Sequence, residues 1–365
     1  MHEHGEPGRG PSGPQTPEPL PLPRPPATPF GPAPVRRPGS IRRTSSWDST
    51  WPDGYGATTA MRGEARDLIT PAAGGGPSIA AHDWVEIRAS PRREILSIRT
   101  CRENDAAQAL VGAQPRGPFR ADVARLFAEE RAQLTPLYLL LDDYVGASFV
   151  APWAWVQWRP ADWGADMRRA QDAEFARTGR RHSMEGVCTG FRPGSTALGP
   201  DGNSRQGIQS KARVPPLARP DDPVGWHAVA PDEGVHMRRA RRLDVWFEAG
   251  AIAFDVWFQD SATTPDGGPR IAVHEYHLSG AADPESFHIL SLDVDPRLLP
   301  FSECMGAPPN VPVLIGEDLR EFRTLVGRRL AGVLGCTHLN ECLRTLADAP
   351  ALADRLKQAL AAPAA

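Results

Sequence analysis

The sequence predicts an α+β protein: two related antiparallel-sheet-plus-helix units in tandem, preceded by a disordered Pro-rich tail. Three observations predict this. First, the chain repeats itself at an offset of about 195 residues, too long and too seldom for a solenoid array. Arg42-Arg43-Thr44-Ser45-Ser46-Trp47-Asp48 lines up with Arg238-Arg239-Ala240-Arg241-Arg242-Leu243-Asp244. Asp67 lines up with Asp260, Ala81-His82-Asp83 with Val273-His274-Glu275, and Ile95-Leu96-Ser97-Ile98 with Ile289-Leu290-Ser291-Leu292. Leu126 to Tyr144 then matches Leu325 to Leu343 without a gap. Second, the apolar period of the second copy changes from that of a strand to that of a helix. Third, thirteen of the 39 prolines fall in residues 1–40.

The elements follow in order. Residues 1–40 hold few large apolar side chains, cannot bury enough surface to offset chain entropy, and are expected to be disordered. Within them Pro21-Leu22-Pro23-Arg24-Pro25-Pro26 has polyproline II character and reads as a linker. Residues 41–145 form the first α+β repeat. Residues 146–236 are a connecting segment in which Trp153, Trp155, Trp158 and Trp163 cluster, and packing between the repeats suits them better than a partner surface. Residues 237–350 form the second repeat, the clearer of the two. Leu243 to Phe247 is strand-like, and Ile252, Phe254, Val256 and Phe258 alternate with Ala253, Asp255, Trp257 and Gln259. Ile271 to Leu278 and Phe287 to Val294 are the next strands, and the short turns between them favour antiparallel pairing. Leu319, Phe322, Leu325, Val326 and Leu330 mark one face of a helix from about Glu317, and a second helix starts near Thr337. Residues 351–365 are an Ala-rich helix or tail.

Charge excludes one class of partner. With 41 basic and 44 acidic side chains there is no basic excess, so no nucleic-acid partner is expected. The arginine pairs Arg238-Arg239 and Arg241-Arg242 are expected to be solvated or to protect a strand edge. Arg42-Arg43-Thr44-Ser45 looks like a basophilic kinase site. The five cysteines are odd in number and include no Cys-x-x-Cys pair, which is free-thiol usage of a reducing compartment. Met1-His2-Glu3-His4-Gly5 opens without an apolar run, so no signal peptide is expected. The longest uncharged run, Tyr144 to Trp158, is shorter than the roughly 20 residues of a spanning helix. A cytoplasmic protein with no membrane partner is the expectation.

Gly186-Val187-Cys188-Thr189-Gly190 has the spacing of a nucleophile elbow but lacks its flanking strand and helix, so it reads as a tight turn. In His274-Glu275-Tyr276-His277 the two histidines point to opposite faces of a strand. The remaining constellation is Gly335-Cys336-Thr337-His338-Leu339-Asn340-Glu341. Cys336 and His338 sit where a helix begins, and unpaired backbone N–H groups there favour a thiolate. Cys304 follows the fourth strand and His274 is on the third. In the first copy Leu110, Leu137 and Leu139 stand opposite Cys304, Cys336 and His338, whereas His82 stands opposite His274. His274, Cys304, Cys336 and His338 are therefore the candidate metal ligands, and two sulfurs with two imidazoles suit zinc. Cys336 and His338 are the candidate catalytic pair, a nucleophilic thiol beside an acid/base. The competing reading makes both cysteines inert small hydrophobes and His338 a satisfied helix-start histidine.

On Gly335-Cys336-Thr337-His338-Leu339, Val273-His274-Glu275, Pro296 followed by Cys304, and Asp260 closing the second strand, residues 238–346 resemble a bacterial family catalogued as domain of unknown function 2889. The first copy resembles longer members through Arg42-Arg43-Thr44-Ser45, Ala65-Arg66-Asp67-Leu68 and Leu139-Leu140-Leu141-Asp142-Asp143, and reads as a degenerate second copy. The resemblance implies no activity, and it adds Asp260 and Cys188 to the positions to test. Two classes of function fit these residues. One is a metal- or thiol-dependent enzyme acting on a small molecule through the second copy. The other is a non-catalytic binding or scaffold protein whose repeats are a structural pair.

Overall fold

The computed structural model describes residues 27–102, 105–161, 163–179, 183–205 and 212–361. The strands are β1 (Ser40–Thr50), β2 (Thr59–Thr70), β3 (Ser78–Ala89), β4 (Ile95–Thr100), β5 (His236–Glu248), β6 (Ala251–Ala262), β7 (Ile271–Ala282) and β8 (Ile289–Leu298). They form one antiparallel sheet in the order β4-β3-β2-β1-β5-β6-β7-β8. The two expected sheets are thus a single sheet. β1 and β5 pair over their whole length, from Ser40 opposite Trp246 to Thr50 opposite His236. An unpaired strand edge exposes backbone donors and acceptors, and this pairing removes two such edges. The helices are α1 (Asp105–Gln108), α2 (Phe119–Leu126), α3 (Ala128–Gln133), α4 (Pro136–Val150), α5 (Ala154–Trp158), α6 (Trp163–Thr178), α7 (Phe322–Arg329), α8 (Thr337–Arg344) and α9 (Ala349–Ala361). Among the described residues no helix is long and apolar enough to cross a membrane.

The arginine pairs behave contrary to expectation. Arg42, Arg43, Arg238, Arg239, Arg241 and Arg242 are all buried, because they lie on central strands covered on both faces. Thr44 and Ser45 are buried with them, so the kinase-like stretch is closed to an enzyme. Strand alternation sends Arg43, Arg239 and Arg241 to the face covered by helices. There Arg43 meets Asp67 directly across the strand pair at 2.6 Å, and Asp348 at 3.0 Å. Arg239 meets Asp260 across its own strand pair at 2.8 Å, and Asp143 at 3.4 Å. Asp142 of α4 collects Arg344 at 2.7 Å and Arg323 at 2.9 Å. These pairs form a polar seam between two apolar cores, one around Trp47, Val85, Ile87 and Leu140, the other around Phe254, Phe258, Phe322 and Leu339. Gly146 lets α4 close on the seam, since a Cβ there would collide with the Arg239 guanidinium.

The opposite face is covered by loops. The expected tail is the informative case. Its residues 1–26, with the polyproline stretch, lie outside the described residues, but disorder fails as an expectation for residues 30–40. The Phe30 N–H donates to Glu275 Oε1 at 2.7 Å, and its ring stacks on His277 with centroids 4.2 Å apart. Arg36 pairs with Asp222 at 2.8 Å. Composition counts apolar side chains, whereas this segment is seated by polar partners from distant loops. The tryptophans of the connecting segment pack inward: Trp155 makes edge contacts with Trp51 and Tyr55, and the Trp158 indole donates to the Thr263 carbonyl at 3.1 Å. The Trp163 side chain lies outside the described residues.

Candidate metal centre

β6, β7 and the start of α8 build the site. Asp260 stands directly opposite His274, and a bulge follows Asp260. Alternation then places His274, Tyr276 and Leu278 on the helix-covered face, while His277 turns to the other face and pairs with Asp255 at 2.6 Å. α8 begins at Thr337, capped by Cys336, whose carbonyl accepts from the Asn340 N–H at 2.8 Å. Its first turn lays His338 on His274, with ring centroids 3.3 Å apart and planes 17° apart. His274 Nδ1 is 3.3 Å and His338 Nε2 is 3.7 Å from the same oxygen, Asp260 Oδ2. One ligand atom from each of the three residues lies within 4.8 Å of the others.

The charge states follow from burial and neighbours. Burial opposes ionisation of Asp260, but Arg239 and the adjacent His274 outweigh it and hold the carboxyl well below the usual range. Arg239 grips both carboxylate oxygens, Oδ1 at 2.8 Å and Oδ2 at 3.0 Å. Each oxygen keeps a further lone pair. Burial pushes His274 down, with Asp260 opposing and Arg239 assisting. Burial and the adjoining His274 push His338 down further. His274 Nδ1 is near Asp260 but not in line with it, and is buried without a hydrogen-bond partner. Two neutral imidazoles and an ionised carboxylate are the forms that bind metals, and this donor set suits a divalent first-row ion with open positions.

The structure brings together only half of the expected ligand set. His274 and His338 meet, whereas the thiols of Cys304 and Cys336 lie outside the group that shares ligand spacing. Asp260 takes their place. A charged residue near the end of β6, aligned with Asp67 in the sequence, was the available signal. Cys188, Cys304 and Cys336 lie instead near the buried Tyr276. Burial raises the Cys336 thiol despite the N–H groups of Leu339 and His338 at the helix start, so the expected thiolate is not favoured. Burial likewise pushes Cys188 up to about 11. Cys188 begins a 3-10 turn, as the tight-turn reading of its motif required. His82 does not occupy a place in its strand pair like that of His274. Ala81 is the residue opposite Asp67, with a bulge following Asp67 as one follows Asp260. A one-residue shift flips a strand side chain to the other face, and His82 there pairs with Glu64 at 2.9 Å.

Fold and site together define an α+β protein with one eight-stranded sheet and a buried Asp-His-His cluster on its helix-covered face. Residues 237–352 match the family described as protein of unknown function (DUF2889), a stretch that runs from β5 into the first turn of α9 and contains the whole cluster. No curated protein and no solved structure matches the chain.

Proposed function

We propose that this is a metal-dependent enzyme acting on a small molecule, with Asp260, His274 and His338 as ligands of a divalent ion such as zinc. One observation carries the reading: two imidazoles held neutral and an ionised carboxylate converge on one point, and His274 Nδ1 there lacks a partner. Three protein ligands leave positions free for water and substrate, and a bound water becomes acidic enough to act near neutral pH. Arg239 orients the carboxylate, and Asp143 in turn holds Arg239. The raised Cys336 thiol favours metal chemistry over a cysteine nucleophile. We read the two halves as related copies, since Arg43–Asp67 and Arg239–Asp260 occupy matching places and the same bulge follows each aspartate. Ala81 in the first half stands where the second has His274, so only the second carries the site. Free thiols favour a cytoplasmic protein.

The test is metal content. Chelator-stripped protein is loaded with zinc, desalted and measured by atomic emission. His338→Ala, at a mostly buried position at the start of α8, should keep the circular dichroism of the parent and lose about one equivalent of metal. If His338→Ala and His274→Ala both retain the parent's metal, the three residues hold none, and the scaffold reading replaces this one.

A further inference from the structure

The hairpin between β3 and β4 carries a charge that nothing balances. Arg93 holds φ +65°, a left-handed conformation that only glycine adopts freely. Phe287 holds the matching place between β7 and β8, with φ +61°. Two residues on, Ile95 and Ile289 make the same pair of bonds. Ile95 donates to the Ala113 carbonyl at 3.0 Å and accepts from the Gly112 N–H at 2.8 Å, while Ile289 donates to the Glu317 carbonyl at 3.0 Å and accepts from the Gly316 N–H at 2.9 Å. Phe287 packs on the core of its half. Arg93 carries a guanidinium instead, half-buried over the Phe149 ring at 5.5 Å, and makes no ion pair among the described residues. The groups in electrostatic reach of it are the Tyr144 hydroxyl and a second cation, Arg116. Tyr144 is fully buried between Trp47 and Phe119, with ring centroids 5.7 and 5.8 Å away, and its hydroxyl has no hydrogen-bond partner. A buried polar group of this kind calls for an occupant. Phe119 leads outward to an open cleft of about 460 Å³, which Arg116 and Asp122 also line. Arg116 is exposed there and makes no ion pair among the described residues. The nearby carboxylates are already taken: Asp122 pairs with Arg125 at 3.3 Å, and Glu174 of α6 accepts from Arg177 at 3.1 Å. α2 begins at this cleft after Pro118, and no side chain caps its first-turn N–H groups.

We propose that Arg93, Arg116, the Tyr144 hydroxyl and the start of α2 form an anion site that takes a small molecule through its phosphate group. Two guanidinium groups, a hydroxyl and a helix start are all donors, and all favour negative charge. They come from a hairpin, a loop and two helices. A tetrahedral phosphate offers oxygens in several directions to such a set, whereas a planar carboxylate offers two in one plane. The site lies in the first half, and it is separate from the Asp-His-His cluster and does not depend on it.

Calorimetric titration with inorganic phosphate tests this, on chelator-stripped full-length protein in a zwitterionic buffer. Saturable binding of one equivalent is expected. Arg93→Gln and Arg116→Gln should each weaken it about tenfold, the worth of one charged hydrogen bond. Tyr144→Phe should weaken it by a smaller factor without lowering the melting temperature of the phosphate-free protein, since the hydroxyl removed has no partner there. Arg99→Gln, at the far end of β4, and the His274→Ala/His338→Ala double variant should bind phosphate as the parent does. Absence of saturable binding overturns the site. Equal losses in Arg99→Gln and Arg93→Gln also overturn it, because they would reflect general charge attraction. A loss confined to the double variant puts the phosphate on the histidines and rejects the site while leaving the metal reading open. Should Arg93→Gln fail to fold, Arg116→Gln decides, because its side chain is exposed.

Discussion

His227 shows what a single buried residue commits this protein to. Its Nε2 lies 2.9 Å from the Ser46 hydroxyl and its Nδ1 2.8 Å from that of Thr44, with no carboxylate in contact. Burial, assisted by Arg66, pushes its pKa down to about 3 from an ordinary 6.5. The folded value lies below the unfolded one, so the unfolded chain takes up the proton first. The stability this residue contributes is therefore complete above about pH 6.5 and lost as pH falls toward 3. His236, His274 and His338 are also depressed and act with the same sign. Denaturant midpoints measured across this window should fall with acidification, and less steeply in His227→Gln. Equal slopes for the two proteins would show that His227 is not held neutral.

Among the elements, the segment from Phe30 to Gly39 behaves as a strap. It has no regular secondary structure, yet it reaches Glu275 and His277 on β7, Leu217 and Asp222 in the loop before β5, and Thr70 at the end of β2. Glu275 is buried, and its oxygens accept from Trp257, Gln259 and the Phe30 N–H. Removing the strap takes one of two donors from Glu275 Oε1 and uncovers Arg42, whose Nη2 donates to the Pro34 carbonyl at 2.9 Å. A chain beginning at Ser40 should melt more than about 4 °C below one beginning at residue 27. Coincident thermal midpoints would mean that the strap contributes nothing to folding.

At the scale of the whole molecule the seam joins the halves. Asp67 comes from the first half and Asp348 from the second, and Arg43 binds both. Arg239 of the second half likewise binds Asp143 of the first. Breaking a buried ion pair costs about 3–5 kcal/mol, because a desolvated charge is left behind. Arg43→Met should therefore destabilise the protein by an amount of that order. Unfolding should remain one transition, with tryptophan fluorescence and far-ultraviolet circular dichroism coincident. Two separated transitions would show that the halves are independent units.

Local pattern was enough for some of this. Alternation through Ile252, Phe254, Val256 and Phe258 identified β6, and the change of period identified α7, because one buried face imposes its repeat on each element. The same logic sent His274 inward and His277 outward. The cysteine and histidine beside Gly335 marked the right helix start. What pattern does not carry is which elements become neighbours. Arg43 and Arg239 read as surface residues, since a buried arginine is recognisable only by carboxylates such as Asp348, 305 positions along the chain from Arg43. His82 and Ala81 could not be told apart as partners of His274, because a bulge shifts the register by one. The make-up of the Asp-His-His cluster was decided in the same way. β6 offers Asp260 across the strand from His274, α8 lays His338 on it, and Cys304 and Cys336 are drawn instead to Tyr276. A site made of side chains from separate elements is a property of their packing, and packing is fixed by contacts distant in sequence.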